Sequence, residues 1–300
     1  MIPKAFHTFY QNQHADRWDG LCDALMQTSV RCARRNAFAG GEGGGGCAEY
    51  VDESSLIPDL EGCYQLDADP VDEPLRDGLQ WFYRMDPASV LAARALEVQS
   101  GDRVLDMCAA PGGKSLILAE ALSEGGHLTA NEWSRARKEK LRSVLRAYLP
   151  DEMLSRVRIS GHDASKWGLY EPDTYDRILL DAPCSSERHV LHQAGELKKW
   201  KPSRSKLLAQ RQYSLLCSAL LACKPGGRIV YSTCSVSELE NDENIRKLIK
   251  KKGDTFQCLT HYSTSWGEKT EFGWQILPDN DQHPGWGPMY WTVLEKCSMC

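Results

Sequence analysis

Three hundred residues are long for one domain and short for two full ones, so a main domain with an N-terminal extension is expected. A formal net charge of -5 excludes a protein that coats nucleic acid indiscriminately, because counterion release rewards a positive balance, so any nucleic-acid contact has to come from local patches. The 12 cysteines are scattered, the opening MIPKAFHTFYQNQ has no apolar core, and no apolar run approaches the roughly 18 residues of a membrane span, which points to reduced thiols and no membrane partner. In chain order, FHTFYQNQHADRWDGLCDAL has apolar and aromatic residues at helical spacing and predicts one or two helices packed on the main domain. From Gly40 to about Asp77, through GGEGGGG and a dense acidic run, the chain reads as loop. MDPASVLAARAL predicts a helix entered through Asp86 and Pro87. Strands are then expected at Arg103–Met107, His127–Ala130, Arg156–Ser160, Arg177–Leu180 and Arg228–Ser232, with helices at Lys114–Leu122, Arg135–Tyr148 and Leu207–Ala222 between them. MYWTVLEK supplies a last strand. Short apolar strands interleaved with helices indicate an α/β fold with a doubly wound parallel sheet. The domains are expected at residues 1–85, a small, mainly helical extension with an acidic glycine-rich loop, and 86–300. The only C-x-x-C, Cys297 to Cys300, has no second pair, so no metal is expected.

In such a sheet ligands bind outside the carboxyl ends of the strands, near the point where strand order reverses. The loop after the first of these strands, in RVLDMCAAPGGKSL, ends like a phosphate-binding loop, but its opening glycine would have to stand where the chain has Cys108. Gly112 and Gly113 instead let the backbone approach a ligand closely. Glu132, at the end of the second strand, is placed to accept hydrogen bonds from a ribose diol. With no G-x-G-x-x-G the site suits a nucleoside without phosphates, of which S-adenosylmethionine is the common one.

Two cysteines stand just past strand ends, Cys184 in RILLDAPCSS and Cys234 in GRIVYSTCS. Free cysteine is among the most buried residue types, so each taken alone also fits ordinary core packing. Their shared placement puts both thiols in reach of the nucleoside loop.

DMCAAPGGK, LLDAPCSSER and KPGGRIVYSTCSVSELENDEN, in this order, resemble the Sun-type RNA 5-methylcytosine methyltransferases from about Asp86 to the C-terminus. Within that family DAPCSSERHVLH, KWG and GPMY are most similar to the branch of the mitochondrial ribosomal-RNA enzyme. The resemblance implies a Rossmann-like, S-adenosylmethionine-dependent domain that methylates cytosine carbon-5 in RNA, most plainly rRNA. It implies Cys234 as the nucleophile that adds to carbon-6, Cys184 as the group needed for product release, and Asp181 as a hydrogen-bond partner of ring nitrogen-3. Covalent addition is needed because carbon-5 is a poor nucleophile until the ring becomes an enamine. DNA cytosine methyltransferases use a Pro-Cys thiol, so on local wording Cys184 competes for the nucleophile's role. Cofactor positions carried over are Cys108, Ala109, Gly112, Gly113, Lys114, Glu132, Arg137, Asp163, Ala164 and Asp181. Glu132 departs from the branch's usual aspartate, and Ala164 from a common glycine.

The stretch Glu187 to Arg211 is basic and contains an aromatic residue, so Arg188, Lys198, Lys199, Trp200, Lys201 and Arg204 are expected to track a phosphate backbone and stack a base. A partner protein conferring RNA specificity is a further expectation from the branch. The competing readings are a catalytically silent RNA-binding assembly factor on the same fold, a tRNA cytosine-5 methyltransferase, and a small-molecule or DNA methyltransferase. Without an arginine-rich leader the expected location is a bacterial cytoplasm, or an organellar matrix after leader removal.

Overall fold

A computed structural model describes residues 2–39, 55–66, 78–122, 125–259 and 266–298. Helices α1 (Lys4–His14) and α2 (Trp18–Met26) open the chain, followed by strands β1 (Cys32–Arg35), β2 (Cys63–Gln65) and β3 (Phe82–Met85). Then come α3 (Pro87–Arg94), β4 (Arg103–Asp106), α4 (Gly113–Ala121), β5 (His127–Asn131), α5 (Arg135–Tyr148), α6 (Asp151–Ser155), β6 (Val157–Ser160), α7 (Trp167–Tyr170) and β7 (Tyr175–Asp181). The chain finishes with α8 (Glu187–His192), α9 (Ala194–Lys199), α10 (Pro202–Ala222), β8 (Cys223–Thr233), α11 (Asp242–Lys252), β9 (Phe256–Cys258), β10 (Glu268–Lys269), β11 (Trp274–Ile276) and β12 (Met289–Lys296).

The main sheet runs β10-β11-β12-β8-β7-β4-β5-β6, with β9 on β12. From β8 to β6 the pairs are parallel, and β12 is antiparallel to β8. Side chains alternate across the parallel core as strand geometry requires. Val104, Leu179 and Val230 face α3, α4 and α5, while Leu105, Ile178 and Tyr231 face α7, α10 and α11. This is the doubly wound α/β core that the alternation of elements predicted. Strand order reverses at β4, which has β5 on one side and β7 on the other, so the crevice at its carboxyl end is where the topology puts a ligand.

The first 85 residues contribute in two places. On α1 and α2, Phe6, Tyr10 and Trp18 form an apolar cluster with Val190, Leu197 and Trp200 of the α8–α9 region. The rest is an antiparallel sheet of order β2-β1-β3, whose Cys32, Cys63 and Met85 join the main core. The stretch expected to be loop from Gly40 to Asp77 thus contains a strand at Cys63–Gln65, because Cys63 and Tyr64 have an apolar face to bury against β1. The rest of that loop lies largely outside the described residues, as does the end of the Cys297-to-Cys300 pair. Helix α10 starts at Pro202 rather than Leu207, with proline at its first turn. Helix α11 was not expected, although Ile245 and Leu248 sit one turn apart on its buried side. No helix among the described residues is long and apolar enough to cross a membrane.

Candidate active site

The loops leaving β4, β5 and β6 are tied together by one side chain. Asn131, the last residue of β5, donates from its amide to Met107 O (3.0 Å) and His162 O (3.1 Å), and accepts from His162 N–H (2.9 Å). Its role has no signal in the sequence, because an uncharged amide beside Glu132 carries no mark of the loops that it joins. Above it a cavity of 370 Å³ is lined by Cys108, Glu132, Trp133, Arg137 and Ala164 among others. Glu132 is only 5% exposed. Its Oε1 accepts from Ser134 N–H at 2.8 Å, and Oε2 lies 3.3 Å from Arg137 Nη1. Arg137 also donates to Ala110 O at 2.8 Å, which links the ends of the first two loops. Asp163 caps the turn at Ala164 by accepting from Ser165 N–H and Oγ.

A second cavity of 290 Å³ shares Cys108 with the first and is lined by Ala109, Gly113, Lys114, Asp106 and Asp181. Lys114 donates to Asp181 Oδ2 at 2.8 Å, and Ser232 donates to Oδ1 at 2.9 Å. Burial lowers the Lys114 pKa, but the charge and hydrogen bond of Asp181 outweigh it, so the ammonium is held above its ordinary value. Asp106 accepts from Ser115 Oγ at 2.6 Å, while its Oδ1 is buried with no partner among the described residues. Burial pushes this carboxyl up to about 7. Burial also raises the Cys108 thiol, so it forms a neutral wall.

The glycines of this loop are also required by the protein's own packing. Gly112 has φ +124°, and an added Cβ would lie 2.9 Å from Val144 of α5; at Gly113, which also lines the second cavity, it would run into the Tyr83 ring.

Strand register brings the two distant cysteines together. Asp181 of β7 pairs with Ser232 of β8, so Cys184 and Cys234 leave adjacent parallel strands at the same end. Their sulfurs are 2.9 Å apart, and Ser186 Oγ lies 3.1 Å from Cys234 Sγ and 3.4 Å from Cys184 Sγ. Hydrogen bonds from Cys184 and Ser186 hold the Cys234 thiol below its ordinary value against the opposing effect of burial, while Cys184 is raised. A thiol whose anion is stabilised in this way is the better nucleophile at neutral pH.

The expected RNA-contacting set divides. Lys198, Lys199 and Lys201 are exposed. Arg204 pairs with Glu196 at 2.9 Å. Trp200 is 6% exposed and packs against Phe6 and Phe9, so its ring cannot stack a base. Arg188 donates to Gln27 O (2.9 Å) and Gly285 O (3.3 Å), a structural use that removes it from a phosphate-binding role. An aromatic that the surface does present beside the first cavity is Trp133, 59% exposed, with the Arg211 guanidinium 5.4 Å above its ring. Among the described residues no cluster of side chains is arranged to hold a metal.

Two cavities at the carboxyl ends of a doubly wound sheet, with two thiols leaving β7 and β8 at the same end, place this chain among α/β proteins with a ligand crevice at the switch point. A sequence model described as 16S rRNA methyltransferase RsmB/F matches residues 93–293, and the chain belongs to that family, as its motif wording predicted. It is 40% identical over 242 residues to the 5-cytosine rRNA methyltransferase NSUN4 of Bos taurus, covering 74% of this chain and 60% of that one. It is 33% identical over 225 residues to a mitochondrial tRNA (cytosine(34)-C(5))-methyltransferase of Mus musculus, covering 73% and 64%. The chain thus spans about three-fifths of the length of these relatives. Among solved structures, a methyltransferase homolog protein from Pyrococcus horikoshii superposes with a TM-score of 0.76 at 22% identity, over 98% of this chain and 95% of that one, which shows the fold.

Proposed function

We propose that this protein is an S-adenosylmethionine-dependent RNA cytosine-5 methyltransferase acting on rRNA through a covalent cysteine–cytosine adduct. The observation that carries the reading is the pair of thiols 2.9 Å apart at the carboxyl ends of β7 and β8, with Cys184 just after Asp181 and Pro183, which line the two cavities that share Cys108. The residues fit the cofactor. The larger cavity suits its adenosine, with Glu132 toward the ribose diol and Asp163 with Ala164 beside the adenine. The smaller suits its methionine end, where Asp106 Oδ1 still needs a donor and Gly113, Lys114 and Asp181 stand close. When bound, the cofactor supplies an electrophilic methyl group.

The chain's own groups do the rest. The Cys234 thiolate adds to carbon-6 of a cytosine turned out of its stack, and the electron pair moves into the ring toward carbon-5. Ring nitrogen-3 takes up a proton from solvent and donates that N–H to the Asp181 carboxylate, which Lys114 and Ser232 orient. After carbon-5 has been methylated, the carbon-5 proton and the nitrogen-3 proton pass to solvent and the Cys234 thiolate is expelled, which restores the neutral aromatic ring. Cys184, at hydrogen-bond distance from the departing sulfur, assists that release.

Lys198, Lys199 and Lys201 are the phosphate contacts of this reading, with Trp133 as a stacking surface near the cofactor. So few basic contacts on an acidic chain leave RNA choice to RNA shape or to a partner protein. The test is transfer of tritiated methyl from S-adenosylmethionine to rRNA, with tRNA and DNA as parallel acceptors. Transfer to rRNA, located by bisulfite sequencing, is expected. Exclusive transfer to tRNA would move the substrate to that class, and no transfer to any RNA would leave the silent assembly factor.

A further inference from the structure

Behind the two thiols lie two carboxylates that this reaction does not use. Glu187, at the start of α8, and Glu240, in the turn before α11, are both 0% exposed. Glu187 follows Cys184, yet it holds the loop of Cys234, accepting from Ser235 Oγ (2.9 Å) and Val236 N–H (3.1 Å). Glu240 follows Cys234, yet it holds the loop of Cys184, accepting from Ser185 N–H (2.9 Å) and from the Ser185 hydroxyl. Gln212 of α10 donates both to Glu240 (2.8 Å) and to Pro183 O (2.9 Å). The two carboxylates therefore cross, each gripping the segment that carries the other's cysteine.

Between these grips sits Ser186, with φ 51° and ψ 59°. A non-glycine residue held in that left-handed region is strained and persists only where its surroundings enforce it. The enforced conformation is the one that puts the Ser186 hydroxyl within reach of both sulfurs. Helix α1 closes the arrangement from outside. Tyr10 donates from its hydroxyl to Glu187 Oε1 at 2.6 Å, His14 Nε2 donates to Val236 O at 2.8 Å, and Gln13 Oε1 accepts from Glu238 N–H at 2.9 Å. Among the described residues neither carboxylate is hydrogen-bonded to a lysine or arginine. Apolar packing would be the cheaper filling for such a place. What a carboxylate adds is several acceptor sites at fixed angles, and here they are spent on the two thiol-bearing loops.

We propose that Glu187 and Glu240 are positioning residues that hold the Cys184 and Cys234 loops at the spacing where the sulfurs meet, and that Tyr10 extends this control to helix α1. The consequence for methyl transfer rests on the proposed function; the consequence for thiol reactivity does not. Cys234 keeps its anion stabilised only while Cys184 and Ser186 stay in place to donate. The other titratable or charged groups facing it are Asp181 from β7, Lys114 from α4 and Glu187 from α8. They remain in the variants used below, except where Glu187 itself is changed.

The experiment follows alkylation of Cys234 by iodoacetamide, read by mass spectrometry across the thiol titration range. It uses the full chain as wild type, Tyr10→Phe, Glu187→Gln, Glu240→Gln and Glu240→Ala, each checked for folding by thermal melting. The titration midpoint of Cys234 is expected to rise by about one unit in Glu240→Ala, which is tenfold less thiolate below both midpoints. Glu240→Gln, which keeps one acceptor oxygen, should fall between Glu240→Ala and wild type. Tyr10→Phe should raise the midpoint less, and add nothing in a Glu187→Ala background made for this comparison, where no side-chain acceptor remains for the Tyr10 hydroxyl, because Tyr10 acts through Glu187. With RNA, kcat should fall while KM holds. A Cys234 midpoint unchanged in folded Glu240→Gln and Tyr10→Phe overturns the proposal whatever the methylation result. Should the Glu240 variants not fold, Tyr10→Phe, which removes a single hydroxyl, decides. Shifted midpoints in a protein that methylates no RNA would uphold the positioning role and defeat the proposed function.

Discussion

Glu132 offers the sharpest test of the cofactor site, because its carboxylate is buried yet has capacity left. Oε1 is engaged by Ser134 N–H at 2.8 Å, and Oε2 faces Arg137 at 3.3 Å. That arginine side chain is 54% exposed, so the pair is screened and holds the carboxylate only weakly. A ribose diol bonded to it would form hydrogen bonds to a charged acceptor, worth about 1.5–3 kcal/mol. Glu132→Gln keeps an oxygen for Ser134 N–H and loses the charge, so the loss should lie near the bottom of that range, about tenfold in Kd. Glu132→Ala also leaves the Ser134 N–H without its partner, and should weaken binding by about 3 kcal/mol, roughly 150-fold. Titration calorimetry with S-adenosylmethionine or its demethylated product measures both, with thermal melting to confirm that each variant is folded. ATP should not bind, since Cys108 replaces the glycine that a phosphate cradle needs. Unchanged cofactor affinity in folded Glu132→Gln and Glu132→Ala, or tight ATP binding, would refute the assignment of this crevice.

The remaining expectations concern the thiols, the surface and pH. Cys234→Ala should abolish methyl transfer and give no adduct, whereas Cys184→Ala should accumulate an RNA-linked band on denaturing gels that vanishes in the double variant; a band in Cys234→Ala instead would make Cys184 the nucleophile. Trp200→Ala should cost about 3–5 kcal/mol of stability through the cavity it leaves among Phe6 and Phe9, measured by denaturant titration, and a loss near zero would show that the α1 cluster does not brace α9. Replacing Lys198, Lys199 and Lys201 together by glutamine should reduce the salt slope of RNA binding by about 2 if all three touch single-stranded phosphates; an unchanged slope would clear them of contact. Asp106, raised to about 7 by burial, binds its proton more tightly folded than unfolded. Its contribution is therefore fully present below the unfolded carboxyl pKa of about 4 and is lost as pH rises toward 7, by a few kcal/mol at most. In Asp106→Asn that part of the pH dependence of unfolding free energy should flatten, and a slope equal to wild type would show that the carboxyl is not perturbed.

Much of the main domain was readable from one dimension because its signals are local. Each strand of the parallel core is a short apolar run and the three long connecting helices, α4, α5 and α10, interleave with them, so β4 to β8 could be placed without knowing their neighbours, whereas the short helices α6 to α9 were missed. The loop at Cys108–Lys114, the acidic Glu132 and the two cysteines all follow strand ends, and that rule placed them at the same end of the sheet. Short strands such as β2 and β11 were missed because three residues hold too little pattern. Trp200 was misjudged for another reason. Its neighbours in sequence are lysines, and nothing nearby shows that Phe6 and Phe9 of the first helix cover its ring.

The sequence by itself determined the kind of sheet, the end of it where the candidate site lies, and the residue types available there. Only the tertiary structure decided which of those residues meet. The pairing of Asp181 with Ser232 brings together sulfurs 50 residues apart. Tyr10 reaches Glu187 across 177 residues, and two glutamates are buried behind the thiols. Periodicity reports which face of a segment is apolar. It carries no information on which partner that face finds, because the choice is made by packing and hydrogen bonding among segments that come together only when the whole core closes.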